Sequence, residues 1–438
     1  MTARELAYQI LKTASKGDTY SNIAIDNALK KNQLPDADRG LLTNIVMGVT
    51  ERRLTLDHLI DRLASDPSKV QDDVRVLLRM GIYQVIFLDR IPEYAAVNET
   101  VALATSRSRG FVNAIMRELL RRIKKGELEA LFPDEKSDEI EYLSVKHSFP
   151  KDVCQKFTEI YGYERAQNIF EIFNKAPKLT LRINTIKISR DGYAKLLDEA
   201  GIEYELSARL ENAILLDNVS FSGLPGFEDG LFFVQDEASQ ICVEALGAMP
   251  GDRVIDACSC PGSKSFGTAI RMENKGAIRS FDLHESKLKL ISKGAERLGI
   301  DVIRASVRDG RAFDPDMNES ADRVLCDVPC SGLGVIAKKP EIRYKGIDDF
   351  ARLPEIQKAI LENCSKYVKI GGVLVYSTCT VLPEENEINV KAFLKDHGEF
   401  EPVDFEVGDV KSENGMLSLA PDIHGTDGFF VAKMKRVR

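Results

Sequence analysis

Two cysteines in this chain stand where apolar, β-branched runs end. Arg323-Val324-Leu325-Cys326 leads into Asp327-Val328-Pro329-Cys330, and Gly372-Val373-Leu374-Val375-Tyr376 leads into Ser377-Thr378-Cys379. A cysteine thiolate is intrinsically nucleophilic and adds reversibly to electrophilic carbon. Between the two runs, Pro354 to Lys369 has helical spacing, with apolar residues at Ile356, Ile360, Leu361, Cys364 and Val368. Strand, helix, strand with a right-handed crossover makes the strands parallel, about 4.8 Å apart if adjacent. Both cysteines then project from carboxyl ends of neighbouring strands, where open α/β sheets bind ligands. Two thiols and the carboxylate of Asp327 facing one pocket suit chemistry on a base or a carbonyl.

Further acids stand at other strand ends. Val254-Ile255-Asp256-Ala257 is a strand that runs into Cys258-Ser259-Cys260-Pro261-Gly262-Ser263-Lys264, a loop of mostly small residues opening a helix. Such a turn lets backbone approach a ligand closely. It is neither a P-loop nor the G-x-G-x-x-G dinucleotide fingerprint. Asp282 closes Arg279-Ser280-Phe281-Asp282, where an acid can take both ribose hydroxyls. Asp309, after the third strand, could accept from the exocyclic amino group of adenine. Each aspartate alone is more often a turn residue. Three in register, Asp282, Asp309 and Asp327, describe a nucleoside ligand with Asp327 near its reactive end. Cys258-Ser259-Cys260 has the look of a metal half-site, but no second pair at zinc spacing follows and the five histidines are scattered, so no metal is expected. Asp236 is placed to cap the helix running to Leu246.

The elements that must position these groups set the domain plan. A chain of 438 residues predicts two or three domains. Residues 1–140 read as an all-α bundle, 141–229 as a small α+β subdomain, and 230–438 as a strand/helix alternation with a largely parallel sheet. In the first part, Leu42 to Leu63 keeps one apolar face along a single long helix. Val74 to Leu88 is apolar nearly all round and so central, and Val112 to Ile123 carries a basic face. His58 is alone there, as structural histidines usually are. In the second part, a helix from Val153 to Phe173 precedes strands at Leu179–Asn184, Ile202–Tyr204 and Ala213–Leu216, with a helix through Tyr193 to Ala200. Strands of the third part are expected at Arg253–Ala257, Ala277–Leu283, Val302–Val307, Arg323–Asp327, Val373–Ser377 and Gly428–Met434.

A net charge of −8 argues against indiscriminate nucleic-acid binding. Basic residues cluster locally, at Arg107 to Lys125 and at Lys338, Lys339, Arg343 and Lys345, which fits a structured RNA met at defined places. For the first run a solvated helix face is an equal alternative. There is no apolar run long enough to span a bilayer, and eight cysteines without a secretory signal imply reduced thiols in the cytoplasm.

Asp256-Ala257-Cys258 with Pro261-Gly262-Ser263-Lys264, Asp327-Val328-Pro329-Cys330-Ser331-Gly332 and Ser377-Thr378-Cys379 together resemble the RNA cytosine-5 methyltransferases. Arg39-Gly40-Leu41-Leu42 and Gly81-Ile82-Tyr83-Gln84 resemble the NusB-like module. One branch of the family, acting on bacterial 16S ribosomal RNA, joins the two. The resemblance implies a NusB-like bundle, a small linker subdomain and a Rossmann-like methyltransferase domain. It also implies S-adenosylmethionine as cofactor, 16S ribosomal RNA as partner, and a cytoplasmic monomer. By resemblance Cys379 is the nucleophile that adds to carbon 6 of cytosine, Cys330 assists loss of the carbon 5 proton, and the sulfurs flank the flipped base. Asp327 would supply a proton near ring nitrogen 3, which asks for a raised pKa. The cofactor would meet Cys258, Ser259, Cys260, Pro261, Gly262, Ser263, Lys264, Asp282, Asp309 and Asp327, while Lys338, Lys339 and Arg343 would hold phosphates. Ser263, Cys260 and Ser265 stand where the family usually has Gly, Ala and Thr, and Ser263 would weaken binding if its position required positive φ. Alternatives are a transfer RNA cytosine-5 methyltransferase and an RNA-binding assembly or transcription factor without activity.

Overall fold

Helical periodicity in the first part of the chain becomes a run of helices in the computed structural model, which describes residues 1–14, 21–217, 219 and 223–438. These are α1 Ala3–Ala14, α2 Ser21–Lys31, α3 Asp36–Glu51, α4 Arg53–Leu63, α5 Asp72–Phe87, α6 Glu93–Leu103, α7 Arg109–Lys124, α8 Glu139–His147, α9 Lys151–Tyr161 and α10 Tyr163–Phe173. With residues 336–347 they form one compact unit. Its core contains the α5 residues Val76, Leu77, Leu78, Met80 and Ile82, all nearly inaccessible to solvent, as apolar side chains all round that helix require. His58 bonds the Leu131 carbonyl at 2.8 Å, a structural role.

The single long helix expected over Leu42 to Leu63 is two helices, parted at Arg52 (φ −97°, ψ 18°). The cause lies about 290 residues away. The Tyr344 hydroxyl donates to the carbonyls of Thr50 and Glu51 and accepts the Arg53 N–H at 3.0 Å. One side chain thus serves orphan groups at the end of one helix and the start of the next. Arg343 beside it is wholly buried. Its guanidinium reaches Asn174 Oδ1 at 2.7 Å and the Glu51 carbonyl at 3.1 Å, and lies 4.4 Å over the Phe149 ring. Arg343 therefore cannot hold an RNA phosphate, because its side chain is wholly buried inside the helical unit. The expected helix from Val153 to Phe173 is likewise two, parted at Gly162.

Residues 176–335 and 348–438 form the second unit. A small antiparallel sheet comes first, built from β1 Leu179–Ile183, β2 Glu205–Leu206, β3 Ala213–Leu216 and β4 Phe232–Val234, in the order β2-β3-β1-β4, with α11 Arg190–Glu199 following β1. The strand expected at Ile202–Tyr204 falls instead at Glu205–Leu206, since Ile202 and Tyr204 pack on the subdomain core rather than joining the ladder. Phe232–Val234 pairs with β1 and completes this sheet.

The large sheet follows, with α12 Glu237–Leu246, β5 Arg253–Asp256, α13 Ser263–Arg271, β6 Ala277–Asp282, α14 Glu285–Leu298, β7 Ile303–Val307, β8 Ala321–Asp327, α15 Leu353–Ser365, β9 Val368–Thr378, α16 Glu387–Asp396, β10 Phe400–Pro402, β11 Glu406–Val407, β12 Val410–Lys411, β13 Met416–Leu419, α17 Pro421–His424 and β14 Phe429–Arg436. Strand order is β10-β14-β9-β8-β5-β6-β7, with β13 also on β14 and a separate β11-β12 hairpin. Pairing is parallel from β9 to β7 and antiparallel where β14 joins. Alternate residues face opposite cores. Val254, Leu325 and Val375 lie in one, while Ile255, Val324, Leu374 and Tyr376 lie in the other. Burial on both faces explains why these strands read as unbroken apolar runs, each buried side chain contributing roughly 1.5–3 kcal/mol. Val368, counted above with the helix, is the first residue of β9, because α15 stops at Ser365. The short strands β10 and β13, too brief to show a period, extend the antiparallel edge.

Candidate active site

Strands β8 and β9 are adjacent and parallel, with Asp327 opposite Ser377 in register. Pairing therefore carries the two cysteine loops off the same sheet end, and the loops are stitched together beyond it. The Ser331 and Thr380 hydroxyls are 2.6 Å apart. The Gly334 N–H donates to the Cys379 carbonyl at 3.0 Å, and the Gly428 N–H donates to the Gly334 carbonyl at 2.9 Å. A Cβ on Gly334 would sit 1.8 Å from the Gly428 carbonyl oxygen, so the approach admits only glycine. In this frame Cys330 Sγ and Cys379 Sγ are 3.2 Å apart, and the Cys379 N–H points at Cys330 Sγ from 3.3 Å. The sulfurs touch, which leaves no room for a ring between them. The hydrogen bond with Cys379, then burial, pushes the Cys330 thiol well above its ordinary range.

Asp327 is tied to the loop between β5 and α13. Lys264 Nζ donates to Asp327 Oδ2 at 2.6 Å, and the Ser377 hydroxyl donates to Oδ1 at 2.8 Å. Burial works most strongly against the Lys264 ammonium, but the charge and hydrogen bond of Asp327, with Cys242 and Cys379 nearby, together more than offset it and hold the lysine charged. Lys264 also lies 5.1 Å over the Phe429 ring. Both oxygens of Asp327 are thus acceptors already, so the proton at this spot is on Lys264. Lys264 joins the acid and the cysteines rather than lining an open loop. Asp256, quoted within the loop motif but not singled out, is a further member. Its Oδ2 accepts from Ser265 at 2.6 Å, Oδ1 is buried with no hydrogen-bond partner, and burial pushes the group up to about 7. A strand-end acid followed by small residues was the signal for it.

The cofactor half is shaped as the residue types required. Gly262 has φ +111°, and a Cβ there would meet the Phe266 ring at 2.5 Å. Ser263 opens α13 with negative φ, so positive φ falls on Gly262 and the feared cost at Ser263 does not arise. The Cys260–Pro261 peptide is cis. Ser259 is folded back on the Phe281 carbonyl by its N–H and its hydroxyl, and burial pushes the Cys258 thiol up. Asp282 accepts the His284 N–H at 2.9 Å, closing its own turn. Asp309 takes Arg311 on both oxygens, at 2.9 and 2.6 Å, and that guanidinium holds the carboxyl below its usual range. The sheet brings Asp282 and Asp309 to adjacent strand ends, with Asp309 engaged by its own loop. A nucleoside cofactor fits this face, where the orphaned Asp256 oxygen leaves polar capacity beside the strand-end acids. Among the described residues no group of three or more His, Cys, Asp or Glu is arranged to hold a metal, and no helix is long and apolar enough to cross a membrane.

The parallel sheet, the small-residue loop and the strand-end acids define a Rossmann-like methyltransferase domain, here carrying a paired-thiol site. Comparison with known proteins narrows this. The 16S rRNA methyltransferase RsmB/F family matches residues 243–435, the NusB family 1–121, and the ferredoxin-like domain of RsmF/B-like methyltransferases 149–220. The chain is 37% identical over 447 residues to the probable ribosomal RNA small subunit methyltransferase B of Bacillus subtilis, covering 99% of each, and 32% identical over 438 residues to ribosomal RNA small subunit methyltransferase B of Escherichia coli K12, covering 98% of each. The crystal structure of PH0851 superposes with a TM-score of 0.80 at 27% identity, covering 100% of this chain and 99% of that one. The chain belongs to the RsmB/F family of 16S rRNA methyltransferases, which take their methyl group from S-adenosylmethionine.

Proposed function

We propose that this enzyme methylates carbon 5 of a cytosine in 16S ribosomal RNA through a covalent adduct between Cys379 and carbon 6. The contact between the two sulfurs carries this reading. A lone nucleophile needs no second thiol at 3.2 Å, whereas addition followed by elimination uses two groups at one base. Carbon 5 of cytosine is a weak nucleophile, and thiolate addition at carbon 6 turns it into an enamine carbon. By the resemblance of the Ser377-Thr378-Cys379 and Pro329-Cys330 motifs, Cys379 is the adding group. Bound S-adenosylmethionine supplies the electrophilic methyl that the activated carbon takes, its nucleoside held by Asp282, Asp309 and the Cys258–Lys264 loop. Lys264, oriented by Asp327, offers its proton toward ring nitrogen 3 as negative charge develops there. After methyl transfer Cys330 gives up its own proton to solvent and, as thiolate, takes the carbon 5 proton; the proton on ring nitrogen 3 returns to Lys264, and Cys379 leaves as thiolate. The target base is unstacked to reach the pair, so a loop or distorted helix is the substrate. Exposed Lys339 is available for a neighbouring phosphate.

Cys379→Ala should abolish methyl transfer and trapping on 5-fluorocytosine RNA. Cys330→Ala should accumulate a covalent complex with unmodified RNA, read on a denaturing gel. Opposite phenotypes would exchange the two roles. Mapping the RNA released from the Cys330→Ala complex would give the modified nucleotide.

A further inference from the structure

Behind the Cys330 loop lies a buried carboxylate that the chemistry above does not use. Glu385, 1% exposed, follows the Cys379 loop in sequence but turns back onto the other one. Its Oε2 accepts the Ser331 N–H at 3.0 Å and the Gln357 amide at 2.6 Å. The same Gln357 nitrogen donates to the Pro329 carbonyl at 3.0 Å. Glu385 therefore holds both residues that flank Cys330, one directly and one through Gln357. Gln357 is fixed in turn, its Oε1 accepting from Asn389 at 3.1 Å and from Tyr376 at 3.3 Å. The Tyr376 hydroxyl also donates to the Glu385 carbonyl at 2.6 Å. Glu385 Oε1 is buried without a hydrogen-bond partner.

Leaving that oxygen bare is costly, and a purely structural tie would be served equally by an amide. A charge is different. Two thiols in contact cannot both ionise, and surrounding charges decide which proton leaves first. The groups that interact with the pair are Glu385 and Tyr376 at Cys330, and Lys264 with its partner Asp327 at Cys379. A carboxylate without a paired cation stands on the Cys330 side, whereas on the Cys379 side the carboxylate of Asp327 is paired with the Lys264 ammonium.

We propose that Glu385 is a positioning residue that sets the division of labour between the thiols, holding the Cys330 loop in place and keeping Cys330 protonated so that Cys379 is the thiolate. This rests on the reading of Cys379 as nucleophile and Cys330 as eliminating group.

The test is Glu385→Gln, made alongside Glu385→Asp, in the full chain. Each is alkylated with iodoacetamide across pH 6 to 10, the modified peptides are quantified by mass spectrometry, and turnover is measured in parallel. In the parent protein Cys379 should react first. In Glu385→Gln the rate at Cys330 relative to Cys379 should rise by about tenfold, its pH profile moving down by about one unit, and kcat should fall while KM for S-adenosylmethionine stays within about twofold. Glu385→Asp, which keeps the charge, should retain the parent partition. An unchanged partition in Glu385→Gln, whatever its turnover, overturns the proposal, and so does a Glu385→Asp that alkylates like Glu385→Gln. If Glu385→Gln fails to bind S-adenosylmethionine, the Glu385→Asp partition alone decides. Failure of the underlying reading looks different, since it would show in the parent background as trapping lost with Cys330→Ala and kept with Cys379→Ala.

Discussion

Aspartates stand at the ends of β6, β7 and β8, yet they are held in two different ways. At β8, Asp327 is fixed by Lys264 from α13 and by Ser377 from β9, partners 63 and 50 residues away. At β6 and β7, Asp282 and Asp309 take hydrogen bonds from His284 and Arg311, two residues on, with the Lys287 ammonium a looser 3.9 Å from Asp282. Long-range partners can move only if the sheet moves, so the catalytic end is preorganised before substrate arrives. Local partners can be exchanged singly. The Asp309–Arg311 pair, one-third and one-half exposed, is screened by water and weakly held, so on the proposed reading Asp309 can exchange it for an adenine amino group. Removing one member of the less exposed Lys264–Asp327 pair costs about 3–5 kcal/mol, because the other charge is left unpaired. On the proposed mechanism, the Asp327 end serves reaction geometry and the Asp282 and Asp309 end serves exchange of the cofactor.

Breaking the catalytic end should have the largest effect. Asp327→Asn is expected to lower turnover by about 10²–10⁴-fold, the range for a lost proton-transfer arrangement, while S-adenosylmethionine affinity changes only a few-fold by calorimetry. An equal loss in affinity and turnover would erase the distinction between the two ends. Asp282→Ala should act the other way, raising the cofactor Kd by about 10- to 100-fold, as for a lost hydrogen bond to a charged group, with kcat at saturation nearly unchanged. The smallest effect belongs to Asp309→Asn. Cofactor Kd should rise a few-fold, and the urea midpoint should stay where it is, as for an exposed ion pair. A tenfold or larger loss there would mean that Arg311 is part of the cofactor site and not merely a placeholder.

Much of the site was legible before any coordinates. Apolar runs ending in Asp-Val-Pro-Cys and Ser-Thr-Cys gave adjacent parallel strands, since alternate residues of β8 and β9 really are buried on both faces. Asp236 caps α12 by accepting the Ala238 N–H, as its position predicted. What escaped was whatever depends on a partner distant in the chain. Arg343 lies in a basic run and reads as a phosphate ligand, and only the fold shows it buried under Phe149. The break at Arg52 carries no helix-stopping residue, because Tyr344 supplies the capping groups from outside. Glu385 gives no signal of its own in the sequence, because its burial comes with Ser331 and Gln357, partners 54 and 28 residues away.

The types and order of residues determined, by themselves, that there is a parallel sheet, that two thiols and three acids leave its strand ends, and that a helical unit precedes it. These follow from periodicity and turn chemistry, which act over a few residues. Tertiary structure alone decided that the sulfurs touch, that Lys264 and not Asp327 carries the proton, and that Asp309 is engaged by Arg311. Such facts depend on hydrogen bonds and charges acting over about 3 Å between groups that only the folded chain brings together.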